Sequence, residues 1–436
     1  MDKIVIIADD LTGGADTAVQ FCAFFDETVL VPYHQLPNAR SQTGERVSRA
    51  ISIFTNSRAI DSDIARKRLL SVAGQFSQSK PKWIYKKIDS CLRGNLGTEI
   101  EAIMDGLGFE LSFIAPAFPE MGRTTLNDIH LVHGIPVNQT EISEDPVAPV
   151  TESRLSHLVA QQCRYPVAHV ALDSLQGGEN RLQKEIARLA RQGTRHIVFD
   201  STCRDHLDII SRLLTSSDHR ILPVGSAGLA ASLRCVLPPD LRSRKDKNRT
   251  PAGGNHLIVS GTISDVTKKQ LKALLQVSPY KEIILTADLL ADSDQRNILL
   301  KKASEAAEIL SAENVIIRIG SEENGQTTAG KPPRLHRAES VVEGIALFVA
   351  AVLKRCRPGF LFATGGDTAN AILTAIDGSG IRILGEIVRG MVHGRLIGGP
   401  LNGLAMITKA GAFGQADALV VLHETWEKMR ERQHES

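Results

Sequence analysis

Residues Ile4–Ala18 read IVIIADDLTGGADTA. An unbroken apolar run is followed at once by two aspartates, a threonine and paired glycines, and then by small residues. A strand that is apolar at every position, rather than at alternate ones, is one buried on both faces, as in a parallel sheet. The acidic, glycine-bearing turn after it sits where α/β sheets bind ligands, at the carboxyl end of a strand.

The same unit recurs outward along the chain. Apolar runs at Ile4–Ala8, Ala50–Phe54, Trp83–Lys87, Leu111–Ala115, His196–Asp200 and Ile221–Gly225 predict strands, and 3.6-period stretches such as Ser62–Phe76 and Asn180–Arg191 predict helices between them. The rhythm breaks at Val236–Asn255 (VLPPDLRSRKDKNRTPAGGN), which has prolines, paired glycines, basic residues and no periodicity, and reads as a linker. It restarts with strands expected at His256–Ser260, Lys281–Thr286, Val315–Gly320, Phe360–Ala363 and Ala405–Lys409. Helices are expected at Lys268–Leu275, Ile298–Leu310 and Ser340–Arg355. The stretch Gly320–Arg334 reads as a surface loop. The expected architecture is two α/β domains, each a largely parallel or mixed sheet flanked by helices, spanning 1–237 and 256–436 with a linker at 238–255.

Composition agrees. The 436 residues are 42% hydrophobic and 23% charged, so sizeable cores are expected. Lys+Arg 51 against Asp+Glu 49 gives a formal charge of +2, and aromatics are 4%. That leaves neither an electrostatic footprint nor stacking platforms for nucleic acid, and a small substrate is favoured. Six scattered cysteines without C-x-x-C spacing read as reduced thiols. With no secretory signal at MDKIVIIADD and no apolar stretch of membrane-spanning length, a cytoplasmic protein with no membrane partner is expected. The sequence does not fix an oligomeric state, and a homo-oligomer is compatible with it.

Three strand-end turns carry the chemistry. In the first, Asp9 and Asp10 leave a strand, so one should face the crevice and accept from substrate hydroxyls, with helix capping as the structural alternative. In the second, Lys86-Lys87-Ile88-Asp89-Ser90-Cys91-Leu92-Arg93-Gly94-Asn95 combines cations, a carboxylate and a hydroxyl at a strand-to-helix turn, suited to an anionic substrate. A charged turn with a solvated lysine pair is the alternative. Arg58, after another strand, would complete an anion clamp. The third, Thr364-Gly365-Gly366-Asp367-Thr368, is a Gly-Gly turn opening a helix, where backbone N–H groups and the helix dipole hold phosphate. Asp367 would otherwise be an N-cap. Ser260-Gly261-Thr262 and Lys409-Ala410-Gly411 add two more such strand ends, and together they describe a nucleotide pocket. Neither a Walker P-loop nor a G-x-G-x-x-G fingerprint is present. His130 and His133 lack a third metal ligand, and His256 and His393 read as structural.

These motifs resemble the four-carbon acid sugar kinases. The matching segments are Ala8–Ala18, Lys86–Asn95 and Ile114–Thr125 (IAPAFPEMGRTT), followed by Ser260–Gln270, Ala363–Leu373 and Ile407–Leu419, in order along nearly the whole chain. The resemblance implies a substrate-binding first domain, a nucleotide-binding second domain and catalysis in a cleft between them. It implies ATP-dependent phosphorylation of the terminal hydroxyl of a four-carbon sugar acid, with Mg²⁺ at the phosphates. Asp10, Arg58 and the turn Asp89, Ser90, Cys91 and Leu92 would contact substrate; Lys87 and Arg93 join them on charge. Ser260, Gly365, Gly366, Asp367, Thr368 and Gly411 would contact ATP. Asp10 or Asp367 would serve the proton transfer. Cys91 departs from the threonine usual in this turn. An aldolase or dehydratase acting on sugar acids, or a non-catalytic sensor of them, would share the anion clamp.

Overall fold

In the computed structural model the chain separates into two compact units, Met1–Arg244 and Lys245–Ser436. The structure describes residues 2–434 apart from 42–48, 80, 82, 146, 218, 238–252, 263, 321–334 and 412. The expected linker therefore lies largely outside the described residues, as does nearly all of the expected loop at 320–334.

The first unit contains β1 (Asp2–Ala8), β2 (Glu27–Pro32), β3 (Arg49–Phe54), β4 (Trp83–Lys87) and β5 (Leu111–Ala115). A small antiparallel sheet follows, β6 (Arg123–Leu126), β7 (Ile129–Val132) and β8 (Ile135–Pro136), and then β9 (Val167–Val170), β10 (His196–Phe199) and β11 (Ile221–Gly225). The main sheet runs β2-β3-β1-β4-β11-β5-β10-β9, and every neighbouring pair is parallel. Ile4–Ala8 are completely buried, as a central parallel strand covered on both faces requires.

The second unit contains β12 (His256–Ser260), β13 (Lys281–Leu285), β14 (Val315–Ile319), β15 (Phe360–Thr364), β16 (Gly380–Val388), β17 (Met391–Ile397) and β18 (Ala405–Lys409). Its order is β13-β14-β12-β15-β18-β17-β16, parallel except for the antiparallel pairs β16–β17 and β17–β18. The helix Ala418–His434 seals an aromatic core in which Trp426, Phe360 and Phe362 are fully buried.

Both units open with the same winding. The first strand lies inside the sheet, the second and third fall on one side of it, and the fourth falls on the other. The direction of winding across the sheet therefore reverses between β1 and β4, and again between β12 and β15, while the strands stay parallel. Such switch points leave a crevice at the carboxyl ends of the strands. The turns singled out in the sequence occupy those ends. Among the described residues no helix is long and apolar enough to cross a membrane.

Candidate active site

The β1 turn is built by Asp10, which is both readings at once. It caps the helix Leu11–Ala18, accepting from the Gly13 N–H at 3.0 Å and from Thr12 Oγ1 at 2.6 Å. It also takes Arg58 Nη2 at 2.9 Å, while Arg58 Nε donates to Asp9 Oδ2 at 2.7 Å. Asp89 Oδ1 lies 3.7 Å from the same guanidinium. Arg93 completes the chain of charges, pairing with Asp89 at 2.7 Å and with Asp145 at 3.2 Å. The structure thus brings together Asp10, Arg58, Lys87, Asp89 and Arg93, which span positions 10 to 93 of the sequence. Burial alone would raise the Asp89 carboxyl; Arg93 and then Arg58 override it and hold the group well below the usual carboxylate range. Burial likewise opposes the charge on Asp9, and Arg58, Lys87 and Lys86 hold it ionised. Asp9 Oδ1 is buried and, among the described residues, has no hydrogen-bond partner.

The two lysines of the β4 turn part company, because successive strand residues face opposite ways. Lys86 is completely buried and bonds Glu99 Oε2 at 2.7 Å and the Lys87 carbonyl at 2.8 Å. Glu99 in turn accepts from Ser57 Oγ at 2.7 Å, Ser57 pairs with Thr55 Oγ1 at 2.7 Å, and the Ser57 N–H donates to the Asp9 carbonyl. This network fixes the loop that carries Arg58, next to Asn56 in a left-handed conformation (φ 48°). Lys87 is also buried, with its ammonium beside Gly13, and among the described residues no carboxylate lies within ion-pair distance of it. The solvated-pair alternative therefore fails for both.

The turn Asp89–Leu92 is held from below by the small sheet. His130 Nε2 donates to the Ser90 carbonyl at 2.8 Å, and its Nδ1 accepts from Thr125 Oγ1 at 3.0 Å. Leu92, buried at φ 65°, shows how tightly the turn is wound. Cys91 is 3% exposed; burial and then the Asp89 charge push its thiol up, against the pull of the Arg123 guanidinium. Sequence reasoning missed Glu99 and His130, and set His130 aside as a poor metal ligand.

Burial keeps His130 neutral down to about pH 4, as it does His196 (about 4) and His256 (about 3). Between pH 6.5 and 4 the unfolded chain binds protons at these sites that the folded chain refuses. Stability should therefore fall as pH drops through that window, by roughly 1.4 kcal/mol per pH unit for each histidine. Urea midpoints taken at pH 7, 6 and 5 should decline progressively; a flat profile would contradict this burial.

In the second unit three strand ends converge. A Cβ on Gly261 would lie 1.9 Å from Thr368 Oγ1, and one on Gly411 would lie 2.7 Å from Thr262 Oγ1, so these turns touch through their glycines. Gly365 (φ 100°) is the N-cap of the helix Gly366–Ala375, no side chain caps it, and its N–H bonds the Lys409 carbonyl at 3.0 Å. The capping alternative for Asp367 fails: it lies exposed in the first turn, one residue inside the helix. Ser260 and Thr368 are buried at the same place. Lys409 shapes the last turn by donating to the carbonyls of Ala410, Phe413 and Gly411 at 2.9, 3.0 and 3.2 Å, and burial lowers its pKa to about 7.

A glycine-walled helix N-terminus fits phosphate, and a buried carboxylate–guanidinium chain fits a small hydroxylated anion. Comparison with known proteins agrees. Residues 4–233 match a sugar-binding N-terminal domain and 257–419 a nucleotide-binding C-terminal domain. The chain is 32% identical to a D-erythronate kinase of Heliobacterium modesticaldum, covering 96% of this chain and 95% of that one. It is 31% identical to a D-threonate kinase of Salmonella typhimurium (97% and 99%) and 26% identical to a 3-oxo-tetronate kinase of Escherichia coli (88% and 97%). A solved Salmonella typhimurium structure described as a tRNA synthase shares the fold, with a TM-score of 0.76 at 21% identity over 96% of this chain and 98% of that one. With both domain models matched and kinases aligned over nearly its whole length, the chain belongs to the four-carbon acid sugar kinase family, phosphotransferases that act on an alcohol group.

Proposed function

We propose that this protein transfers the γ-phosphoryl group of ATP to the C4 hydroxyl of a four-carbon sugar acid, with D-threonate as the first substrate to test. The observation that carries the reading is the Asp9–Arg58–Asp10 and Asp89–Arg93 chain at the switch point of a unit matching a sugar-binding domain. D-erythronate is the second reading, supported by a relative of that name at 32% identity beside the D-threonate kinase at 31%.

Asp10 accepts from the attacking hydroxyl and orients it, and Arg58 keeps that carboxylate in place. Arg58 and Arg93 are already paired with carboxylates at ion-pair distance, whereas among the described residues Lys87 makes no direct ion pair and only feels the Asp9 and Asp89 charges from farther off. A buried charge without a hydrogen-bonded counter-ion is costly, and a substrate carboxylate would supply one. Lys87 is therefore the anchor of the acid group, and Ser90, Cys91 and Leu92 line the turn against the polyol. In the second unit Ser260, Gly365, Gly366, Thr368 and Gly411 surround the phosphates. The donor set there fits Mg²⁺–ATP: Asp367 in the first helical turn would hold Mg²⁺, which neutralises charge on the β and γ phosphates. Because the transition state is loose, alignment and charge neutralisation matter more than the strength of the base.

The test is an ADP-release assay across D-threonate, D-erythronate, L-threonate and 3-oxo-tetronate. ADP formation with none of them rejects the reading. On the preferred acid, Lys87→Met should raise KM about 10- to 100-fold, the worth of a charge-assisted hydrogen bond of about 1.5–3 kcal/mol. An unchanged KM would remove Lys87 from the site.

A further inference from the structure

The second unit carries a cluster that phosphoryl transfer does not use. His256 is the first residue of β12, so it lies at the end of that strand away from the Ser260 turn. His423 and Glu427 are four apart on the helix Ala418–His434 and share one face of it. One nitrogen from each histidine and a Glu427 oxygen all lie within 4.8 Å of one another.

We propose that His256, His423 and Glu427 form a structural binding site for a divalent transition-metal cation of the Zn²⁺ type, which pins the C-terminal helix to the end of β12. His256 Nε2 is buried and 3.2 Å from Glu427 Oε1, yet it is not aligned to hydrogen-bond it. A nitrogen and an oxygen bound to one tetrahedral cation, with bonds of about 2.0–2.2 Å, stand roughly 3.4 Å apart. The pair is thus spaced as ligands of a shared ion.

The surroundings supply the outer contacts that such ligands need. Tyr280 Oη lies 3.0 Å from His256 Nδ1 and accepts its proton, leaving the Nε2 lone pair for the metal. Ser278 Oγ lies 3.0 Å from His423 Nε2 and does the same for that ring, leaving Nδ1. His423 Nδ1 now sits 3.2 Å from Tyr280 Oη and exchanges that contact for the cation. The ring of His256 stacks on Phe360 at 4.3 Å, which makes the inner wall apolar. Arg430 pairs with the other Glu427 oxygen, Oε2, and leaves Oε1 to the site. Two imidazoles, a carboxylate and water make a donor set that prefers Zn²⁺ or Co²⁺ to Mg²⁺.

The experiment uses the untagged full chain, stripped with chelator and free of nucleotide, and titrates Co²⁺ and then Zn²⁺. One equivalent of Co²⁺ should give the visible absorption of a tetrahedral ion. Zn²⁺ at about a hundred times its Kd should raise the thermal midpoint by about 5–10 °C. His423→Asn and Glu427→Gln should each abolish both signals and leave phosphoryl transfer unchanged. Absence of both signals in the unaltered protein, or their persistence in both variants, overturns the proposal and leaves the cluster a hydrogen-bonded brace.

Discussion

Replacing Arg58 with methionine is expected to lower kcat/KM for the sugar acid by about three orders of magnitude while ATP affinity stays within twofold. Its guanidinium bonds Asp9 and Asp10 and stands 3.7 Å from Asp89. Without it, three buried carboxylates face a negatively charged substrate. Lys86 cannot substitute, since it is bonded to Glu99. Removing one partner of a buried ion pair costs about 3–5 kcal/mol, a factor of about 10² to 10⁴ when the loss falls on the reaction. Arg58→Lys retains the charge but cannot span two carboxylates, so it should lie between, at about 10- to 100-fold. Steady-state kinetics with the acid varied, alongside an ATP titration of the same variants, check this. A kcat/KM within tenfold of the unaltered enzyme would refute the clamp. A tenfold loss of ATP affinity would refute the assignment of Arg58 to the acid alone.

The parts of this site that were legible in the sequence are those fixed by local rules. Parallel strands buried on both faces appear as unbroken apolar runs, so Trp83–Lys87, Leu111–Ala115, Ile221–Gly225, His256–Ser260 and Ala405–Lys409 match the observed strands residue for residue. Strand ends then point to the ligand turns, because that is where α/β sheets bind. What stayed hidden is long-range. Nothing in the sequence near Lys86 reveals that Glu99 comes to lie against it, or that the pair braces Ser57 and so the Arg58 loop. The strands β2, β9, β16 and β17 and the small sheet were also missed, the last because its strands are only two to four residues long. A local signal existed there: Asn127-Asp128 and His133-Gly134 are two-residue hairpin turns with positive φ at every position, and Asn, Asp and Gly are the residues that tolerate it. Reading those turns would have placed β7, and with it His130, beneath the Asp89–Leu92 turn.

Gly261→Val should weaken ATP by about 10- to 100-fold and leave the first unit undisturbed. Any Cβ at this position overlaps Thr368 Oγ1, and Thr368 is itself 2% exposed with no room to withdraw. The turn after β12 must therefore part from the helix Gly366–Ala375, whose N-terminus is the part proposed to meet phosphate. Overpacking of this kind costs about 1–3 kcal/mol, and each 1.4 kcal/mol is tenfold in affinity. Gly411→Ala makes a useful contrast. Its nearest obstacle is the Thr262 hydroxyl at 2.7 Å, on a residue only half-buried, so its effect should be smaller. Gly261→Ala brings the same Cβ without valine's extra bulk and should fall between the unaltered protein and Gly261→Val. Calorimetric titration with ATP measures all four proteins. Unaltered affinity in Gly261→Val would mean that phosphate binds away from this turn, and the glycine-walled helix N-terminus would then be a packing device with no part in the nucleotide site.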